Sequence, residues 1–369
     1  MAKFARVEGP LPLSTWPGVG GLGLRGSSAK RRSHSAQDDR GDTLIITLNN
    51  IREAQSRLRG VAVRTKLIPS HIRNADKTDN RQLYLKPENL QPIGSFKLRG
   101  AYNKVAALSE EERSRGVITY SSGNHAQGVA YAARALGVKS VIVMPDNAPA
   151  VKREATLALG AEIILVGPAS SERQAKAEEL AAQRGYVIVP PYNDEMIIAG
   201  QGTMGLEILE DLPEVETVIA PVGGGGMLSG IAAAIKLSRP TVKMIGAEPE
   251  LAADAQASLR SGKIVQATAE QTTRTLADGL RTQSIGAINF EHIRRYVDDI
   301  VTVSEDEIRK AMKLLATDPK TLAEPSGAVA VAAFLFHRDQ LPRTTINVAV
   351  ISGGNVEAEV LAELSKEGA

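Results

Sequence analysis

With 369 residues, 43% of them apolar and 23% charged, the chain is long enough for two domains and a large core, as in an ordinary soluble globular protein. A net charge of +2 gives no electrostatic reason to expect nucleic acid or an anionic membrane as partner. Cysteine is absent, which removes disulfides and thiolate zinc sites and suits a reducing, cytoplasmic setting, and no apolar run approaches the roughly 20 residues of a membrane helix. Residues 1–42, with the stretch GVGGLGLRGSSAKRRSHSAQDDRGD, show neither helical nor strand periodicity and read as a disordered extension. Arg and Ser there invite a transit-peptide reading. Against it stand Glu8, Asp38, Asp39 and Asp42, which favour a flexible extension or a wrongly chosen upstream start.

From Thr43 the chain becomes regular, and TLNNIREAQSRLRG reads as a helix closed by Gly60. The stretch YLKPENLQPIGSFKLRG (84–100) joins an extended run, Tyr84–Leu85, to a polar turn and a helix starting near Ser95, its cap. Lys97 falls in the first turn, where the helix dipole disfavours a second positive charge. Dipole and desolvation both lower an amine's pKa, and a neutral amine is what Schiff-base chemistry with an aldehyde needs. Most lysines are solvated on a surface, and this one in isolation reads that way.

Apolar strands and amphipathic helices then alternate. VITYSS (117–122) leads to NHAQGVAYAARALG (124–137), SVIVMP to PAVKREATLALG, AEIILVG to SERQAKAEELAAQRG, and YVIVPP closes the group at Pro190–Pro191. ETVIAPV, VKMIGAE, DDIVTV and NVAVISGG resume the pattern. Short, continuously apolar strands separated by helices predict a parallel sheet covered on both faces, an α/β fold. Two domains follow, one a unit over 114–192 and the other assembled from 43–113 and 193–369. In such sheets ligands sit at the carboxyl ends of strands.

Four strand-end loops carry candidate chemistry. Gly223-Gly224-Gly225-Gly226 lies between a strand and the helix MLSGIAAAIKLS, where side-chain-free amides and a helix N-terminus form an anion nest suited to phosphate. Leu228 occupies the third glycine position of a dinucleotide fingerprint, and no Walker lysine follows. Ser121-Ser122-Gly123-Asn124-His125 could hold a carboxylate at another helix N-terminus, or Ser122 or Asn124 could simply cap that helix. Ser352, in SGGN, could meet a ring nitrogen or cap the last helix. Glu248 and Asp254, on the loop after a strand, could hold a hard divalent cation with a carbonyl, or be solvated surface.

Taken together, ENLQPIGSFKLRGA, SSGNHAQGVA, VGGGGMLSG, the ADG of Ala277–Gly279, EPSGAVA and SGGN, in that order, resemble the fold-type II pyridoxal-phosphate enzymes, specifically the threonine/serine dehydratase and serine racemase group. The likeness covers about residues 45–360. It implies two open, mostly parallel twisted sheets flanked by helices, of the tryptophan synthase β-like kind. It makes Lys97 the cofactor lysine with Phe96 against the ring and Asn124 on the ring hydroxyl. Gly223, Gly224, Gly225, Gly226 and Met227 would hold the phosphate, and Ser352 would face the pyridine nitrogen. Ser121, Ser122, Gly123 and His125 would form the substrate-carboxylate loop, with Arg173 on the substrate side. Glu248, the Ala252 carbonyl and Asp254 would form a Mg²⁺ or Mn²⁺ site.

On that likeness the chain deaminates L-threonine and L-serine as a cytoplasmic homodimer, with Lys97 and Ser122 as acid/base groups. A neutral Ser352 at the ring nitrogen leaves the pyridine less protonated, which favours β-elimination over transamination. Ser122 departs from the Ala of many dehydratases and matches the racemases, so serine racemase and 3-hydroxyaspartate dehydratase stand as alternatives. A catalytically silent phosphate-ligand sensor is the alternative from another class. Thr65-Lys66-Leu67 lacks the family's usual central proline, and the 17 residues after Ser352 leave no room for an isoleucine-sensing regulatory domain.

Overall fold

The apolar runs sort into two sheets in the computed structural model, which describes residues 45–72, 79–121, 123–148, 150–167 and 170–366. The extension over 1–42 lies outside the described residues. Helix α1 (Leu48–Leu58) opens with a capping box: Thr47 Oγ1 accepts from the Asn50 amide at 3.3 Å, and Asn50 Oδ1 from the Thr47 amide at 2.8 Å. Ile51, Ala54 and Leu58 line its buried face, and Gly60 beyond it takes a left-handed φ of 79°. Strands β1 (Ile68–Pro69) and β2 (Gln82–Pro87) lead to α2 (Lys97–Ala106) and the short α3 (Glu110–Arg115). The alternating units follow as β3 (Val117–Tyr120), α4 (Asn124–Leu136), β4 (Ser140–Pro145), α5 (Ala150–Ala158), β5 (Glu162–Val166), α6 (Ser170–Arg184) and β6 (Val187–Ile188). After the long α7 (Glu195–Asp211) come β7 (Thr217–Pro221), α8 (Gly226–Ser238), β8 (Lys243–Pro249), α9 (Asp254–Ser261), α10 (Ala269–Thr272) and α11 (Ala287–Tyr296). The chain closes with β9 (Asp299–Val303), α12 (Glu305–Leu315), α13 (Pro325–Phe336), β10 (Ile346–Ile351) and α14 (Ala358–Lys366).

The larger sheet runs β1-β2-β10-β7-β8-β9 and is parallel except for β1, which pairs antiparallel with β2. The last strand of the chain is thus inserted in the middle, with Val348 opposite both Tyr84 and Val218. The smaller sheet, β5-β4-β3-β6, is parallel and takes all its strands from within 114–192. Helix α2 comes from outside that segment, yet its Ala101 and Val105 join the core cluster that holds Ala126, Val129 and Ile142.

Helix α7 is apolar nearly all round, as a helix buried between layers must be. Its glycines permit close approach to α8: a Cβ on Gly202 would stand 3.0 Å from the Gly230 carbonyl oxygen, and one on Gly230 2.6 Å from the Gly202 amide nitrogen. Helix α13 is equally buried and packs under the other face of the large sheet, with Val329, Val331 and Phe334 among Ile219, Ile245 and Ala349.

Beneath α2 lies a network of four buried charges. Arg99 Nε donates to Glu88 Oε2 at 2.8 Å and Arg99 Nη1 to Glu207 Oε1 at 2.7 Å, while Lys86 Nζ meets Glu207 Oε2 at 2.5 Å. Thr65 Oγ1 and Gln91 Nε2 donate to the two oxygens of Glu88. Burial pushes the Glu88 carboxyl up, but the Arg99 guanidinium outweighs it and holds the group below its ordinary value. Two cations against two anions leave the network neutral. Removing one member strands its partners in the interior. Glu207→Ala is therefore expected to cost about 3–5 kcal/mol, seen as a large drop in the urea midpoint, with Glu207→Gln costing less.

Candidate active site

The site is built where the start of α2 meets the end of β10. Gly94, at φ 70°, turns the chain so that Ser95 pairs with Gly353, the Phe96 amide donates to the Ser352 carbonyl at 3.0 Å, and the Gly354 amide to the Gly94 carbonyl at 2.9 Å. Ser95 is not the cap expected from the sequence. Phe96 holds the N-cap position without a side-chain bond, and Ser95 is buried with no partner for its hydroxyl. The backbone pairing with 352–354, rather than a side chain, sets where the helix begins.

Lys97 is the first residue of α2, partly buried, its Nζ donating to the Pro191 carbonyl at 2.8 Å. Burial lowers its amine to about 8, which puts a sizeable neutral fraction within physiological reach. The Phe96 ring lies beside it, with its centroid 5.2 Å from Nζ. Helix α4 packs tightly on this turn because residue 128 is glycine: a Cβ there would stand 3.1 Å from the Lys97 carbonyl oxygen.

That packing brings up Asn124, the first residue of α4. Its Nδ2 donates to Glu324 Oε1 at 2.6 Å, and its Oδ1 accepts from Asn355 Nδ2 at 2.7 Å. A Cβ on Gly353 would collide with the Glu324 carboxylate and stand 3.2 Å from Asn124 Nδ2, so that position of SGGN needs glycine. Burial, with the Asp278 charge adding to it, pushes the Glu324 carboxyl up to about 7. The EPSGAVA motif contained Glu324, but nothing local in the sequence marked it as a partner of Asn124. Ser352 follows β10, buried, with its Oγ donating to the Ser326 carbonyl at 3.3 Å.

The four glycines stand at the junction of β7 and α8, with Gly223 to Gly225 in the connection and Gly226 opening the helix. Gly225 takes φ 93°, and the Gly224 carbonyl accepts from the Gly286 amide at 3.1 Å and from Asn289 Nδ2 at 2.8 Å. Among the described residues, the amides of Gly223 to Met227 donate to no backbone carbonyl. Beside Gly223 the Thr282 hydroxyl is buried without a partner. Tyr192 lies against both Gly224 and Gly226: a Cβ on Gly224 would clash with its ring, and one on Gly226 would stand 3.0 Å from its Cβ. Because Tyr192 follows Pro191, the carbonyl holding Lys97 and the ring covering the glycine cradle belong to one short loop. Sequence reasoning missed this loop, whose only signal was the Pro-Pro pair.

In the neighbouring loop the Ser121 amide donates to the Val143 carbonyl at 3.2 Å and Ser121 Oγ accepts from the Gly123 amide at 3.3 Å. Ser122 lies outside the described residues. Gly123 is the N-cap of α4, so Asn124 is not the cap but points into the site. His125 is buried with Nε2 on the Val189 carbonyl at 3.0 Å; burial and the nearby Lys97 charge push it down to about 3, which keeps it neutral. Arg173 lies on α6, the helix on the other face of the small sheet from α4, where burial lowers its guanidinium.

Glu248 and Asp254 are not on one loop: Glu248 is in β8 and Asp254 opens α9. Both are buried, as is Ala252. Glu248 accepts from the amides of Gln256 at 2.7 Å and Ala255 at 3.2 Å, while Asp254 Oδ2 has no partner. Burial raises Asp254 to about 7, and burial followed by the Asp254 charge raises Glu248 well above its ordinary value. Among the described residues no group of three or more acidic or histidine side chains gathers, so this pair would need a carbonyl to complete a cation site.

The family model of pyridoxal-phosphate dependent enzymes matches residues 59–353. The L-threonine ammonia-lyase of Thermotoga maritima is 46% identical over 324 residues, 88% of this chain and 79% of that protein. The catabolic L-threonine dehydratase TdcB of Escherichia coli is 42% identical over 87% of this chain and 97% of its own. Among solved structures, serine racemase from Dictyostelium discoideum superposes with a TM-score of 0.77 at 37% identity, over 85% of this chain and 99% of that one. A match of this extent, on a chain whose glycine cradle and low-pKa lysine meet at one loop, leaves a single assignment: the chain belongs to the pyridoxal-phosphate dependent enzyme family, in its fold-type II branch.

Proposed function

We propose that the protein is a lyase that deaminates L-threonine to 2-oxobutanoate and L-serine to pyruvate, each with release of ammonia. The observation that carries this reading is Lys97: an amine lowered to about 8, tied through Pro191 and Tyr192 to a cradle of acceptor-less amides. Bound there, pyridoxal phosphate supplies the electron sink that stabilises negative charge at the substrate Cα.

The chain's own residues then divide the work. Gly223 to Gly226 and Met227, at the N-terminus of α8, hold the phosphate. Phe96 flanks the ring, Asn124 orients it through its amide, and Ser352 faces the ring nitrogen with a hydroxyl rather than a charge. Lys97 Nζ, neutral, takes the Cα proton of the substrate. Ser121, Gly123 and neutral His125 frame the place for the substrate carboxylate. Ser122 and Arg173 have their roles here by resemblance. The segment 114–192 serves as the substrate-side domain, and Glu248, the Ala252 carbonyl and Asp254 take Mg²⁺ or Mn²⁺, for which an orphaned, buried Asp254 oxygen is suited. A cytoplasmic homodimer completes the proposal. The second reading, serine racemase, is favoured by the likeness to the Dictyostelium enzyme and by the serine at position 122. Assaying L-threonine, L-serine, D-serine and 3-hydroxyaspartate for oxo acid and enantiomer separates the two, and a silent sensor would give neither product.

Borohydride treatment of the holoenzyme is expected to fix the cofactor to the peptide carrying Lys97, and Lys97→Ala to lose both that adduct and oxo-acid formation. Capture of the cofactor by the apoenzyme needs the neutral amine. Its rate should therefore rise about tenfold per pH unit below about 8 and level off above, as followed by the absorbance of the adduct. Mg²⁺ or Mn²⁺ should raise the unfolding temperature of the wild type and leave Asp254→Asn unmoved.

A further inference from the structure

A substrate carboxylate entering this site leaves water for a partly buried loop, and a nearby positive charge would offset the cost of that transfer beyond what backbone amides supply. The loop at 121–124 offers amides and hydroxyls but no formal charge. His125 is neutral, and Lys97 must be neutral to act as a base. The acids on the opposite wall, Glu324 and Asp278, would repel an anion.

One cation is placed to answer them. Lys152, on α5, reaches across the cleft to Asp278 in the Ala277–Gly279 loop of the large-sheet side, with Nζ 2.6 Å from Oδ2. The same Nζ is 3.9 Å from where a Cβ on Gly123 would stand, so the ammonium lies directly beside the carboxylate loop. Its side chain is only 12% exposed against 39% for Asp278, so the cation faces inward and its partner outward. The charged groups around it are Asp278, Glu324 and Glu357. Burial pulls its pKa down, but these three acids together leave it raised, so the ammonium persists through neutral pH.

We infer that Lys152 is a substrate-positioning residue: held in place by Asp278, its ammonium supplies a positive charge that draws the substrate carboxylate toward Gly123 at the N-terminus of α4. The role rests on the proposed amino-acid lyase reading and adds to it the group that neutralises the carboxylate. It also makes the Lys152–Asp278 pair a tie between α5, on the small sheet, and the loop that carries Asp278.

The test compares Lys152→Gln, Lys152→Arg and wild-type holoenzyme in steady-state turnover of L-threonine and L-serine at several ionic strengths. Loss of a charge-assisted contact is expected to raise KM about tenfold or more in Lys152→Gln while kcat changes by less than about threefold, and Lys152→Arg should recover most of the loss. The wild-type KM should rise with salt and that of Lys152→Gln should not. An unchanged KM in Lys152→Gln, or equal impairment in both variants, overturns the assignment. If Lys152→Gln does not fold, a wild-type KM indifferent to ionic strength overturns it and a salt-dependent one upholds it. Lactate, which has the carboxylate but not the amine, separates this inference from the lyase reading. Should the wild type turn over neither amino acid, that reading fails, and calorimetric lactate binding weakened in Lys152→Gln still upholds Lys152, whereas unweakened binding overturns it.

Discussion

Arg99 shares one guanidinium between Glu88, which follows β2, and Glu207, in the middle of α7. Three parts of the chain are thereby held to one buried point, and Lys86 closes the arrangement from β2 itself. Buried ion networks are weak sources of net stability, because desolvation consumes most of the Coulomb gain. What they enforce is geometry: a planar fork with five donors accepts few alternative partners. Arg99 is one half-turn past Lys97 on α2. Whatever pins its guanidinium also sets the rotation and depth of the helix end that carries Lys97.

Glycines do the remaining alignment by allowing backbones to touch. Gly128 lets α4 lie on the first turn of α2, so Asn124 arrives beside Lys97. Gly353 leaves room for the Glu324 carboxylate that holds Asn124. Gly224 and Gly226 admit Tyr192, whose neighbour Pro191 holds the lysine. Each is a contact between elements distant in sequence, and at Gly224 and Gly353 a methyl group would force its neighbour to move.

The electrostatics follow from the same burial. Desolvation lowers Lys97 and His125 and raises Glu324, Glu248 and Asp254, so the interior disfavours charge on both acids and bases. Lys152 is the contrast, since surrounding acids outweigh its burial. Among the described residues, groups whose charge burial disfavours thus stand beside a cation that neighbouring acids hold charged.

Local physics made much of this legible in the sequence. Apolar runs of strand length, helix-stop glycines and turn residues act over a few positions, and they sufficed for the order of βα units, parallel strand pairing, the glycine loop at the junction of β7 and α8, and the lysine at the head of α2. Where the local signal misled, a distant partner had intervened: Ser95 has the composition of a cap, but pairing with residues 352–354 moves the cap one position on, to Phe96. The insertion of β10 between β2 and β7, the sharing of Arg99 by two glutamates, the bond from Asn124 to Glu324 across 200 positions and the reach of Lys152 to Asp278 were decided by tertiary structure alone. Periodicity and turn chemistry specify what an element is. Which elements touch depends on packing and charge pairing between segments that carry no local trace of one another.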